Sequence, residues 1–279
     1  MATLTELRQE RETYWSQSRV QSFMICSLRF AFQYIYKLEP EHTSAALAFG
    51  SAVHRTLEMM HLHKRDGALL SDNEVRDLFG EVWSREVSET EQLKFKDGQD
   101  AESCRSQGMD IVSVFSKNMD NEEEIVSVSE AMAVPLVAAD GTILEDPLIG
   151  EADLVVKRGE EEVVVDWKTA ARKWSANQAD TQLQPTAMLY SWHHTHGGLP
   201  DFEYRIVTKA KTPAYQLALT SRTPDDFDRM VEKIRAVDRA AKAEAFIPND
   251  GCFACADCPF AGACKSWVQD RTKLISLAA

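Results

Sequence analysis

The sequence predicts an α/β fold in which a central mixed sheet is flanked by helices, with a helical insertion and a cysteine-clamped end. Three observations carry this reading. Up to about residue 122 the apolar residues recur at helical spacing, and from Ile125 onward they alternate, which is the period of a strand. Strand-like runs and helical runs then follow one another, the clearest being the two strands Leu148 to Val156 and Glu162 to Trp167. Finally, Cys252, Cys255, Cys258 and Cys264 crowd into thirteen residues.

The elements follow in order. The first forty residues read as helical, with an aromatic-rich stretch from Phe23 to Tyr36. Ser44 is placed to cap a helix through Leu47, Val53 and Leu57 to about Lys64, and Asp66-Gly67 breaks it. Ser71 and Glu74 form a capping box, opening a helix with Val75, Leu78, Phe79, Val82 and Trp83 on one face. Another helix spans about Ala101 to Lys117. Ile125, Val126 and Val128 begin the first strand, Ala133 to Val137 continue it, and Asp140-Gly141 marks a turn. Lys157-Arg158-Gly159-Glu160 joins the next two strands, and a helix from about Ala179 to His194 follows. Glu203 to Thr208 and Tyr215 to Leu219 are further strands. Thr223-Pro224-Asp225-Asp226 starts a helix with proline at its first position and a buried stripe of Phe227, Met230, Val231, Ile234 and Val237.

Composition excludes several classes. Hydrophobic residues are 44% and charged residues 27%, globular values that exclude wholesale disorder. No apolar run approaches the ~20 residues of a transmembrane helix. The polar start, MATLTELRQERETYW, lacks a secretory signal, so the expected setting is cytoplasmic. The 31 basic and 44 acidic residues give a net charge of -13, which argues against a generic basic nucleic-acid coat. An enzyme whose carboxylates hold metal stays open. In a reducing compartment, clustered cysteines read as metal or cluster ligands rather than disulfides.

The segment from Gly150-Glu-Ala-Asp153 to Asp166-Trp-Lys168 is the most informative. With a four-residue connection from Arg158 to Glu161, residue 157 pairs with 162 and Asp153 falls opposite Asp166. Directly opposed side chains share a face with Cβ atoms ~5 Å apart, and Lys168 points the same way as Asp166. Two carboxylates that close repel unless a cation lies between them. A hard divalent ion with oxygen ligands suits them, and an adjacent ammonium completes the equipment for metal-assisted phosphodiester hydrolysis. His54, on a helix one turn after Gly50, is a third candidate, and Gly50 would let another backbone approach closely. His61, His63, His193, His194 and His196 have no comparable claim. Cys255, Cys258 and Cys264 with the distant Cys26 supply four thiolates, a set that holds either zinc or an iron–sulfur cluster. Cys252 is a fifth candidate, and Cys104 reads as a core residue.

Gly50-x-x-x-His54, Gly150-x-x-Asp153, Asp166-Trp167-Lys168-Thr169, a glutamine-bearing helix and a terminal cysteine cluster, in that order, resemble the PD-(D/E)xK nuclease superfamily. The closer resemblance is to its RecB-like exonucleases with an iron–sulfur clamp. That group includes helicase-linked nuclease domains, CRISPR-associated adaptation exonucleases and phage exonucleases. Ser18-Arg-Val-Gln-Ser-Phe23-Met-Ile-Cys26-Ser-Leu-Arg29-Phe30 is similar to the group's opening Ser-x-x-x-x-Phe-x-x-Cys-Pro-x-x-Phe. The resemblance runs from about Ser18 to Trp267.

It implies a single RecB-like nuclease domain over 1–279, with a restriction-endonuclease-like catalytic core sheet over 122–220. The helical insertion takes 55–122, and 18–40 together with 245–270 form an iron–sulfur lobe. It implies a metal-dependent deoxyribonuclease acting on DNA ends or single strands. His54, Asp153, Asp166 and the Trp167 carbonyl would hold Mg2+ or Mn2+, and Lys168 would be the catalytic lysine. Cys26, Cys255, Cys258 and Cys264 would hold a structural 4Fe-4S cluster. Two departures stand out. Ser27 replaces the proline after Cys26, with an expected effect on local stiffness alone. The Gln-x-x-x-Tyr motif is imperfect, since Gln182 leads to Thr186 and Gln184 to Met188; Gln184 is preferred because Gln184-Pro-Thr-Ala matches the helix start.

DNA contacts are expected from Arg172 and Lys173, beside Trp174, and from Arg205 and Lys209, which share a strand face, with Lys211 just beyond. No Gly-x4-Gly-Lys-Ser/Thr loop is present, so unwinding would fall to a helicase partner; a recombination or CRISPR integrase partner is the other kind expected. DNA repair, phage DNA metabolism and CRISPR adaptation are the candidate settings. The rival readings are a structure-specific endonuclease using the same site, a DNA-binding or assembly subunit with a vestigial site, and a zinc-stabilised interaction module.

Overall fold

The computed structural model describes residues 3–11 and 13–267. The chain opens with α1 (Leu4–Gln9), α2 (Gln17–Ile25) and α3 (Ser27–Phe30), the last continuing into a π-helical turn over Ala31–Ile35. Cys26 separates α2 from α3 in an extended conformation. The short β1 (Thr43–Ser44) pairs in parallel with β2 (Leu93–Lys94). Between them lie α4 (Ala45–Arg65) and α5 (Asp72–Glu89), and α6 (Ala101–Lys117) follows. Ser71 and Glu74 make the expected capping box on α5. Ser44 holds the cap position of α4 without a side-chain hydrogen bond to the helix.

The main sheet comprises β3 (Glu124–Val134), β4 (Leu148–Arg158), β5 (Glu161–Ala170), β6 (Asp201–Thr208) and β7 (Tyr215–Thr220), in that spatial order. Only β5 and β6 run parallel, so the sheet is mixed as expected. The crossover between them is α7 (Leu183–His196), which starts later than the sequence pattern suggests. After β7 come α8 (Pro224–Lys242) and α9 (Ala261–Lys265). All five residues of the expected α8 stripe are buried.

Each face of the sheet carries its own core. On one, Val155, Val164 and Tyr204 pack with residues of α2, α3, α7 and α8; on the other, Leu154, Val163, Val165 and Trp167 pack with α4, α5 and α6. This alternation is the period-2 signal of a strand buried on both faces. Cys104 sits in the second core, as expected. One expectation fails on α4: a Cβ on Gly50 would meet nothing within 4 Å, so no backbone packs there. Near the hairpin, Gly150 serves a close approach, since a Cβ there would fall 2.4 Å from Met188 Cε of α7.

Candidate active site

The β4–β5 register is the expected one, Lys157 opposite Glu162 and Leu154 opposite Val165, with the turn tightened to Gly159-Glu160. Regular pairing stops at Leu154, one step before Asp153. From there β4 stays paired with β3 and β5 with β6, so the two middle strands part. The Asp153 carboxylate takes up the gap, accepting the Trp167 N–H at 3.0 Å. His54 reaches the same oxygen from α4, with Nδ1 3.2 Å from Asp153 Oδ2. Asp166 and Lys168 lie on the α7 side, where Gln184 Nε2 donates to Asp166 Oδ1. Lys168 Nζ lies 2.7 Å from Asp166 Oδ2. The hairpin thus brings Asp153, Asp166, Lys168, His54 and Gln184 together, though Asp153 occupies the gap rather than sharing one flat face with Asp166.

Charge and burial set the protonation pattern. Burial pushes Asp166 up to about 6, with Lys168 opposing and Asp153 adding to the rise. Burial would raise Asp153 too, yet the adjacent His54 and the Trp167 N–H hold it below the ordinary range. His54 is held above its ordinary value, since Asp153 more than offsets the burial that would lower it. Lys168 is raised likewise, with burial outweighed by Asp166 and Asp153.

Among the described residues, no three His, Cys, Asp or Glu side chains already enclose a metal ion. Each carboxylate is instead turned to a cation of the protein. The donor chemistry does fit a hard divalent ion. The part-buried Asp153 carboxylate and the His54 imidazole meet at the gap beside the buried Asp166, whose Oδ2 is without a well-aligned hydrogen bond. The Trp167 carbonyl leaves its strand on the same edge as the N–H that Asp153 holds. A cleft of about 470 Å³ opens beside this point, lined by His54, Asp153 and Trp167 and by the acidic Glu58 and Glu151.

The sequence profile of the PD-(D/E)XK nuclease superfamily matches residues 14–265. The chain belongs to that superfamily. Among solved structures, this nuclease is similar to a "Putative exonuclease" from Eubacterium rectale, at 14% identity, with 92% of each chain covered and a TM-score of 0.55. That likeness shows the fold. A second structure, SSO0001, is 13% identical and covers 51% of this chain and 61% of its own, with a TM-score of 0.33. No curated protein matches the sequence.

Elsewhere in the nuclease the expected residues divide. Gln182, the alternative to Gln184, points away and donates to the Gln178 carbonyl. Tyr190 is buried and tied to Pro135 and Val137. Arg172 and Lys173 are exposed on the loop after β5. Trp174 is used by the fold: its ring packs edge-on to Tyr204 at 4.8 Å, and Gln216 holds its backbone. Lys209 is half-buried with its ammonium 4.5 Å from the Phe49 ring centroid. Arg205 requires correction. It is 4% exposed and bonded to Glu203 at 2.8 Å and Glu123 at 2.7 Å, with Arg158 closing the network. Arg205 therefore lines no groove. The sequence signal was available in Glu203, two residues away on the same strand face.

The cysteines converge. Cys26, Cys252, Cys255, Cys258 and Cys264 all line one cavity of about 230 Å³, with Arg29 and Lys265 at its wall. None is in a disulfide. Cys252 and Cys255 lie 3.5 Å apart, Sγ to Sγ. Backbone bonds join the two ends here, Glu41 N to Pro259 O and Leu28 N to Ile247 O. Ser27 does more than alter stiffness. Its hydroxyl accepts from Ile247 N at 2.9 Å and donates to Ile247 O at 3.2 Å, which a proline ring cannot do.

Proposed function

We propose that this chain is a metal-dependent DNA exonuclease that acts on DNA ends or single strands and carries a structural 4Fe-4S cluster. The observation that supports it most is the parted β4–β5 hairpin, which sets Asp153 with His54 in the wall of an open cleft and Asp166 with Lys168 and Gln184 on the α7 side of the same hairpin. Asp153, Asp166, His54 and the Trp167 carbonyl would hold Mg2+ or Mn2+. Bound there, such an ion supplies Lewis-acid polarisation of a phosphoryl oxygen and a nucleophilic water at neutral pH.

The chain's own groups do the rest. Lys168 presents a charge to the phosphoryl oxygens as negative charge grows on them. Gln184 holds one oxygen of Asp166 and so fixes the plane of that carboxylate. His54 beside Asp153 favours the ionised form of that carboxylate, and its imidazole must be neutral to take the ion. The neighbour described as an exonuclease favours action at ends.

For the cluster, the support is the shared cavity of about 230 Å³ walled by cysteines from both chain ends. A cluster bound by Cys26, Cys255, Cys258 and Cys264 supplies a cross-link between the two ends, so its binding energy becomes folding energy.

The test is cleavage of end-labelled linear and circular single strands with Mg2+ or Mn2+, using anaerobically purified protein. Release of products from linear strands and sparing of circles is expected. Equal cutting of circles would replace the exonuclease reading by an endonuclease, and no cleavage with any divalent ion would overturn the reading altogether.

A further inference from the structure

A basic patch is informative in a chain with a net charge of -13. A groove of about 490 Å³ lies where the end of α1 and the segment before α2 meet α3 and α8. Arg8, Arg11, Arg19, Lys37 and Lys242 line it, with Asp146 and Asp238 as its acids. Those acids are engaged: Thr13 bonds Asp146 at 2.5 Å, and Asp238 takes Lys242 at 3.1 Å. Arg11 has Glu10 at 3.6 Å. Among the described residues, Arg8, Arg19 and Lys37 form no ion pair with a carboxylate.

Arg19 is the centre of the groove. Its guanidinium lies 3.6 Å from the Tyr14 ring centroid and 4.9 Å from that of Tyr34. It donates to the Tyr14 carbonyl at 2.8 Å. Three other arginines that reach into the fold are saturated. Arg158 and Arg205 share Glu123 and Glu203, and Arg222 meets oxygens of Thr186, Ala179 and Gln182. An arginine has five donors in a planar fork suited to phosphate. Held between two rings and lacking an acid, Arg19 keeps its charge for an outside anion.

The groove is tied to the catalytic strand. Trp15 donates to Pro147 O at 2.8 Å and accepts from Ile149 N at 2.8 Å, which fixes the groove wall to the start of β4. From Leu148 to Asp153 the strand rises about 17 Å at ~3.3 Å per residue. The volume suits one or two nucleotides and not a duplex, since pockets of about 300–1,000 Å³ hold small ligands.

We propose that this groove binds the single-stranded nucleic acid that enters or leaves the catalytic cleft, with a backbone phosphate held by Arg19 and Arg8. The proposal rests on the nuclease reading for the identity of the strand. The test is fluorescence anisotropy of an oligonucleotide of about fifteen nucleotides, within the span of single-strand sites, in metal-free buffer across a salt series. Arg8→Glu, at an exposed position, and Arg19→Lys, which keeps the charge but loses the fork, are each expected to weaken binding about tenfold. Arg8→Glu should also lower the salt slope by about 0.7. Wild-type affinity and slope in Arg8→Glu would overturn the proposal even if Arg19→Lys fails to fold. Competition by polyglutamate as effective as by unlabelled oligonucleotide would overturn it as well. Cleavage with Mn2+ is scored separately. A wild-type protein that binds the strand through this groove without cleaving it overturns the nuclease reading and leaves the groove standing; a cleaving protein whose Arg8→Glu form binds normally does the reverse.

Discussion

Replacing Arg205 with methionine distinguishes a structural arginine from a DNA-binding one. Its guanidinium lies among Glu123, Glu203 and Arg158, and the two carboxylates are 5% and 1% exposed. Methionine keeps much of the apolar stem but leaves two buried carboxylates sharing one arginine. Removing one partner of a buried pair costs about 3–5 kcal/mol, and the lower end is expected because Arg158 remains. At roughly 2–4 °C per kcal/mol for chains of this size, the melting temperature should fall by about 6–12 °C. Adding Glu203→Gln removes the orphaned charge and should recover part of the loss. The effect has a pH signature. Burial would raise Glu203, but Arg158 and Arg205 hold it below the ordinary range. Its contribution is therefore full above an unfolded pKa of about 4.3 and is lost as pH falls through the lower folded value. The variant's deficit should be complete at neutral pH and shrink in acid. Thermal unfolding by circular dichroism, paired with DNA anisotropy, reads both consequences. An unchanged melting temperature together with weakened DNA binding would refute the structural role and return Arg205 to the groove.

Three further outcomes are expected. Lys168→Ala should bind Mn2+ normally by calorimetry, while turnover falls by at least about 100-fold; lost metal affinity would reverse the role given to the lysine. Cys26→Ser should bleach a brown, anaerobically purified protein holding about four irons per chain, whereas Cys252→Ser should leave the colour. The opposite pattern would make all four ligands local to the C-terminal lobe. Ser27→Ala should cost about 1–3 kcal/mol by stranding the Ile247 N–H, the C=O keeping its bond from Leu28 N, read as a lower denaturation midpoint, and an unchanged midpoint would mean that water replaces the hydroxyl.

The hairpin register was legible because strand side chains alternate with period two and the turn left one pairing that aligned both carboxylates. The α8 stripe and the α5 capping box were legible for a similar reason: they depend on neighbours within one or two helical turns. The choice of Gln184 over Gln182 was legible only through resemblance, since both sit at the start of the same helix. Arg205 was misread because strand alternation tells which residues share a face but not what covers that face.

The sequence by itself determined the α/β order of elements, the β4–β5 register up to Leu154 and Val165, and the presence of enough thiolates for a metal or cluster. All of these follow from spacing along the chain. Tertiary structure alone decided where β4 and β5 part, that His54 reaches Asp153 from α4, and that Cys26 meets cysteines more than two hundred residues later. It also decided that Arg205 is buried in paired charge while Arg19 keeps an open one. Those outcomes depend on which surfaces pack together, and burial and charge pairing are properties of the assembled surface rather than of sequence spacing.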